Sequence, residues 1–170
     1  IYNFIESGES EIVEFKSSLS WNYKENRKDK FLPFSVIKTV AAFLNTNGGN
    51  LLIGVKENDE TNKTEIIGLK NDYSILQKKN NDGFEILLSD YLRNSLSSMV
   101  DIKNNIRITF ENIDDVEVCI VNVSKSSEPV YVNFKSDKKE YKGAFFRREG
   151  RSTFELNAEE VVKYLNSRVF

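Results

Sequence analysis

The stretch that decides the fold is VIKTVAAFLNTNGGNLLIGV, residues 36–55. Val36, Ile37, Val40, Ala41 and Leu44 recur at helical spacing and mark one apolar stripe. Pro33 suits the first helical turn, so a helix is expected over 33–46. Asn47, Gly48 and Gly49 then stop it, because Gly and Asn tolerate the left-handed geometry of a helix end. LLIGV (51–55) is nearly all apolar, as in a central strand covered on both faces. The glycine pair invites a phosphate-loop reading, but its polarity is reversed. Phosphate loops lead into a helix N-terminus, where free N–H groups meet the anion. Here the glycines leave a helix and enter a strand, and no Gly-Lys-Ser/Thr follows. An ATP-binding reading therefore rests on the glycines alone.

Working outward, EIVEFK (11–16) alternates as a strand, with Val13 and Phe15 on one face and Ile12, Glu14 and Lys16 on the other. The polar segment WNYKENRKDK (21–30) reads as a loop. Phe84, Leu87, Leu88, Tyr91, Leu92, Leu96 and Met99 predict a helix over 83–98. NIRITF and VEVCIVNV flank the ENIDD turn as a hairpin. PVYVNF and YKGAFFRR add two strands, and a closing helix begins at Asn157 with Glu160 placed for a capping box. This order predicts one α+β domain over residues 1–170, built on a single mixed, largely antiparallel sheet flanked by helices.

Composition narrows the chemistry. The chain has 39% hydrophobic and 29% charged residues, as soluble globular proteins do. No apolar run approaches the roughly 20 residues needed to span a bilayer. No signal peptide is visible, and the start at Ile1 reads as a piece of a longer protein. A single cysteine, Cys119, excludes an internal disulfide and points to a reducing, cytoplasmic location. There is no histidine, which removes Ser-His-Asp and Cys-His catalysis and any Cys/His zinc site. Carboxylates, lysines, hydroxyls or a hard metal ion are left.

Two clusters fit such chemistry. Glu14 and Lys16 project from one strand face, as an ordinary ion pair or as the carboxylate and lysine of a metal-dependent nuclease. Glu9 lies five residues from Glu14, so in a straight strand the two would point to opposite faces about 17 Å apart. They converge only if the chain bends near Gly8–Ser10, and such convergence implies a cation. The second cluster is residues 135–151, with seven Lys/Arg against three acids despite a net charge of −2. Lys138, Lys139, Lys142, Arg147, Arg148 and Arg151 alternate there with Tyr141, Phe145 and Phe146. That pattern fits contact with single-stranded or looped nucleic acid, and equally a solvated face over a core.

Taken together, ESGESEIVEFKSS, VIKTVAAFLNTNGGNLLIGV, IIGL and FFRREGRST resemble the AlbA-like domain of the Schlafen family, from about Glu6 to the final helix. The resemblance implies a nucleic-acid-binding domain, and a divalent-metal-dependent endoribonuclease acting on structured RNA such as tRNA. It implies Mg²⁺ or Mn²⁺ held by Glu9, Glu14 and a third acid, with Lys16 stabilising charge at the scissile phosphate. The family's Asp-Asp after IGV reads Lys56-Glu57 here, so Glu57 takes the third place, with Asp59 as the fallback. The alternative is a non-catalytic DNA- or RNA-binding regulatory module. Animal members use two such lobes, so a homodimer is expected to build an equivalent groove.

Overall fold

A computed structural model describes all residues except 59, 60, 62, 98–100, 169 and 170, and leaves out the side chain of Ile102. Asp59 and Met99, both named above, lie outside the described residues. The chain runs α1 (Tyr2–Ser7), β1 (Val13–Lys16), β2 (Trp21–Asn22), β3 (Arg27–Lys28), α2 (Pro33–Asn45), β4 (Gly49–Ile53), β5 (Val55–Asn58) and β6 (Lys63–Ile66). It continues with α3 (Lys70–Ser74), α4 (Asn81–Ser95), α5 (Ile102–Asn105), β7 (Ile106–Ile113), β8 (Val116–Val123), β9 (Tyr131–Lys135), β10 (Glu140–Glu149), β11 (Ser152–Leu156) and α6 (Ala158–Ser167).

The α+β class is as expected, but the strands do not form a single sheet. A four-stranded sheet has the order β1-β4-β8-β7 and a separate three-stranded sheet the order β11-β10-β9, while β2–β3 and β5–β6 are two-stranded ribbons. Only the β1–β4 pairing is parallel. The reason lies in α2. Beyond the expected stripe, Thr39, Ala42 and Phe43 are buried too, so the helix is covered all round. A helix of that kind needs packing on every side. Its core partners come from both sheets: Leu51, Ile53, Cys119 and Val121 from one, Val132 and Phe146 from the other.

The opposite face of the four-stranded sheet presents Val13, Phe15, Leu52, Val118 and Ile120 to Phe4 and Ile5 of α1. The LLIGV run is not one strand. Gly54 at φ 95° ends β4, and β5 leaves to pair with β6. The segment expected as a loop at 21–30 instead closes the β2–β3 ribbon through Asn26 at φ 50°. The DD turn between β7 and β8 places Asp114 and Asp115 at φ 49° and 63°, the mirror-image turn that hairpin twist favours. Asn157 and Glu160 form the expected capping box of α6.

Asn45, fully buried at the end of α2, ties the layers together. Its amide N–H groups donate to the carbonyls of Val130 (2.8 Å) and Phe146 (3.0 Å). Its Oδ1 accepts from the Val130 N–H (2.9 Å), and its carbonyl accepts from the Tyr164 hydroxyl on α6 (2.7 Å). Cys119 is buried, and that burial pushes its thiol well up. Among the described residues no helix is long and apolar enough to cross a membrane.

Candidate functional site

The N-terminal segment does bend. At Gly8, φ is 71°, a conformation that non-glycine residues rarely take. A Cβ there would sit 2.8 Å from Glu57 Oε1. The Ser10 N–H then donates to the Val13 carbonyl (2.9 Å), closing the turn into β1. Glu9 is thereby folded back along β1. Its Oε1 accepts from the Phe15 N–H (2.9 Å), on the edge of β1 that faces away from β4, and its own N–H donates to Glu57 Oε1 (2.9 Å).

Glu14 points to the α2 side of the sheet and is only 9% exposed. One carboxylate oxygen takes Lys16 Nζ, and the other lies 2.6 Å from Arg148 Nη1. The latter approach lacks hydrogen-bond alignment, so charge attraction rather than a directed bond holds it. Arg148, on β10, is 3% exposed and its guanidinium lies 5.4 Å from the Phe43 ring centroid. It also donates to the carbonyls of Ser10 (2.7 Å), Glu11 (3.2 Å) and Val13 (3.3 Å). A planar fork with five donors can serve a carboxylate and a loop at once, which an ammonium cannot.

Glu57, on β5, gives both oxygens to Arg151 Nη2, at 2.7 and 2.6 Å, and Glu9 Oε2 lies 4.0 Å from the same nitrogen. Burial raises the Glu9 carboxyl above its ordinary range; the Phe15 N–H opposes that, and the Glu14 and Glu57 charges add to it. Half-buried Lys38 on α2 completes the cluster. Burial lowers its ammonium, with Lys16 adding to the shift and Glu14 opposing it. The sequence reading passed over Lys38, although it is the one charge within VIKTVAAFL. Glu9, Glu14, Lys16 and Glu57 are thus brought together, with Lys38, Arg148 and Arg151 interleaved.

The six cations expected on the nucleic-acid face divide. Arg148 is inside, and Arg151 is committed to Glu57. Lys139 lies over the Tyr141 ring (4.5 Å) and pairs with Glu155 (2.7 Å), while Arg147 lies against Tyr164 (5.0 Å) and pairs with Glu149 (3.0 Å). Lys142 pairs with Glu140 (3.2 Å), and Lys138 is exposed at the β9–β10 turn.

The family model described as Schlafen, AlbA_2 matches residues 9–157, from the first carboxylate of the cluster to the cap of α6. The chain belongs to this family. Among solved structures it is similar to the DIP2311 protein from Corynebacterium diphtheriae, at 19% identity and a TM-score of 0.52, over 94% of this chain and 24% of that one. It therefore spans about a quarter of that protein, with which it shares a fold. It is also similar to the N-terminal domain of a RecG-related protein from Nitrosomonas europaea, at 21% identity and a TM-score of 0.44, over 83% of this chain and 78% of that one. No curated protein matches.

A divalent ion in this Schlafen AlbA_2 domain would need several free oxygens on one side. Both oxygens of Glu57 face Arg151, those of Glu14 face Lys16 and Arg148, and Glu9 Oε1 holds the Phe15 N–H. Only Glu9 Oε2 is left. Among the described residues no three acidic or cysteine side chains are grouped to hold a metal. The carboxylates, as arranged, do not fit Mg²⁺ or Mn²⁺; the protein's own cations take that place.

Proposed function

We propose that this domain binds nucleic acid through the cations at the surface of the β9–β11 sheet, with RNA as the preferred partner and DNA as an alternative. The observation that supports this is the seating of Lys139 and Arg147 on aromatic rings, flanked by exposed Lys138 and Lys142. Their acidic partners are exposed, and such pairs are worth at most about 1 kcal/mol, so phosphates can replace them. Anisotropy with labelled tRNA and duplex DNA across a salt series tests the reading. Affinity is expected to fall with a log–log slope of about −0.7 to −0.9 per phosphate contacted. The Lys138→Ala, Lys139→Ala, Lys142→Ala triple variant is expected to bind more weakly with a shallower slope. No binding at low salt, or an unchanged triple variant, overturns it. Light scattering of the complex reads out the homodimer expected from the family resemblance.

A second reading, a divalent-metal-dependent endoribonuclease, is favoured by one observation: Glu9 folds back along β1, so that the charges of both Glu14 and Glu57 act on its carboxylate. It requires Arg151 to leave Glu57. Incubating tRNA with Mn²⁺ and with Mg²⁺, alongside Glu14→Gln and Glu57→Gln, tests it. Equal cleavage by all three proteins, or by none, removes this reading and leaves the binding domain standing.

A further inference from the structure

A cavity of about 560 Å³ opens beside the β2–β3 ribbon, within the range typical of small-ligand sites. Trp21, Leu32 and Ile67 give it apolar walls, Tyr23 adds a partly exposed ring, and Lys24 and Lys56 supply exposed cations. Among the described residues that line it there is no carboxylate, although Glu65 pairs with Lys56. The exposed ammonium groups of Lys24 and Lys56 favour an anionic ligand there. The aromatic faces select a flat one.

The walls are also held rigidly. The Trp21 N–H donates to Ser18 Oγ (2.6 Å), whose hydroxyl donates to buried Asp72 (2.9 Å), and the Ser20 N–H donates to the same Asp72 oxygen (2.8 Å). The indole N–H of Trp21 is shielded from water and has no hydrogen-bond partner among the described residues. The Ser20 hydroxyl and Asp72 Oδ2, in the same turn, are likewise buried without a hydrogen-bond partner among the described residues.

We propose that this cavity takes one unstacked nucleotide, its base against Trp21 and Tyr23 and its phosphate on Lys24 and Lys56. This rests on the nucleic-acid reading above and specifies a subsite for it. The subsite is separate from the carboxylate cluster. Lys56 and Glu57 are neighbours on β5, so their side chains leave opposite faces of the β5–β6 ribbon. Lys56 lies 2.8 Å from Glu65, an exposed pair that a phosphate can exchange for.

Trp21 is the only tryptophan in the chain, so its fluorescence reports this cavity without labelling. The test titrates the domain with UMP, AMP and ribose 5-phosphate, then with a single-stranded RNA followed by both anisotropy and tryptophan emission. The nucleotides and the RNA are expected to quench Trp21, and ribose 5-phosphate is not. Tyr23→Ala and Lys56→Ala, both at exposed positions, are each expected to weaken nucleotide binding, Tyr23→Ala by about five- to a hundred-fold. If ribose 5-phosphate competes as well as UMP, the cavity is a phosphate site and the proposal fails. If RNA binds but Trp21 emission and both variants are unmoved, the subsite is overturned while the nucleic-acid reading survives. If neither RNA nor nucleotide binds, both fall.

Discussion

Glu14 and Asp72 are both carboxylates withdrawn from water, 9% and 1% exposed, and the chain accommodates them by opposite means. Glu14 is surrounded by cations, Lys16 on its own strand and Arg148 from β10. Asp72 has neutral donors, with Oδ1 accepting from the Ser18 hydroxyl and the Ser20 N–H while Oδ2 has no hydrogen-bond partner among the described residues. Burial correspondingly pushes the Asp72 carboxyl up, against the pull of its hydrogen bonds. The difference separates a site from a scaffold. A carboxylate balanced by side-chain cations depends on partners brought from distant parts of the chain, Arg148 above all. One fixed by backbone and hydroxyl donors only holds a turn in place, here the turn that presents Trp21.

The largest effect is expected at Arg148. Arg148→Ala leaves Glu14 buried and without its guanidinium, and is expected to cost about 3–5 kcal/mol in urea denaturation at pH 7. Arg148→Met combined with Glu14→Gln is expected to recover most of that. A loss below about 1 kcal/mol would mean the guanidinium is not what anchors the 9–14 loop.

At Asp72 the prediction turns on shape. Asp72→Ala strands the Ser18 hydroxyl and leaves the Ser20 N–H only its longer contact to Ser18 Oγ (3.1 Å), at about 1–3 kcal/mol. Asp72→Asn retains the acceptor and removes the charge, and is expected to stay within about 1 kcal/mol of wild type at pH 7. The pH profile gives a further check. Because the folded carboxyl titrates above the unfolded value of 3.8, the folded state binds more protons in the window just above it. Asp72 therefore stabilises fully below that pH, and its contribution is lost as pH rises through the folded value. Subtracting the Asp72→Asn profile from the wild-type profile is expected to isolate that downward step.

Gly8→Ala sharpens the other half. The left-handed backbone alone costs about 1–2 kcal/mol, and the added methyl meets Glu57 Oε1 at 2.8 Å. Thermal denaturation is expected to show at least that loss. The smallest effect on stability belongs to Arg151→Ala. Its pair with Glu57 is more than half exposed on the arginine side, so the change is expected to stay below about 1 kcal/mol. Its effect on ligand exchange is larger. With Glu57 released, calorimetry is expected to find tighter Mn²⁺ binding than in wild type, and unchanged binding would show that Arg151 is no gate.

What could be read from the sequence is what local physics determines. Helix α2, its stop at NTNGG, the DD hairpin turn and the capping box of α6 all depend on residues a few positions apart. The bend at Gly8 was legible only as a condition: the offset of Glu9 and Glu14 requires it if the two carboxylates are to meet. The division into two sheets was not, since it depends on α2 being covered from both sides. Glu57 emerged only through family resemblance. Arg148 was grouped with the surface cations because it lies in a basic stretch interleaved with aromatics, and the paired residues of FFRRE do not say which arginine meets the core. Lys38 was hidden by the same apolar run that identified its helix.

The fork of Arg148 also bears on the order of events in folding. Its bond to the Ser10 carbonyl joins residues 138 apart in sequence. On a ribosome, Glu14 has Lys16 beside it from the start but is made long before its partner Arg148 in β10. Contacts of such span close late, after the loop-closure entropy has been met by the rest of the fold. Substitutions at Arg148 are therefore expected to accelerate unfolding in stopped-flow measurements while barely slowing refolding. The carboxylate cluster is then the last part of the domain to assemble and the first to come apart.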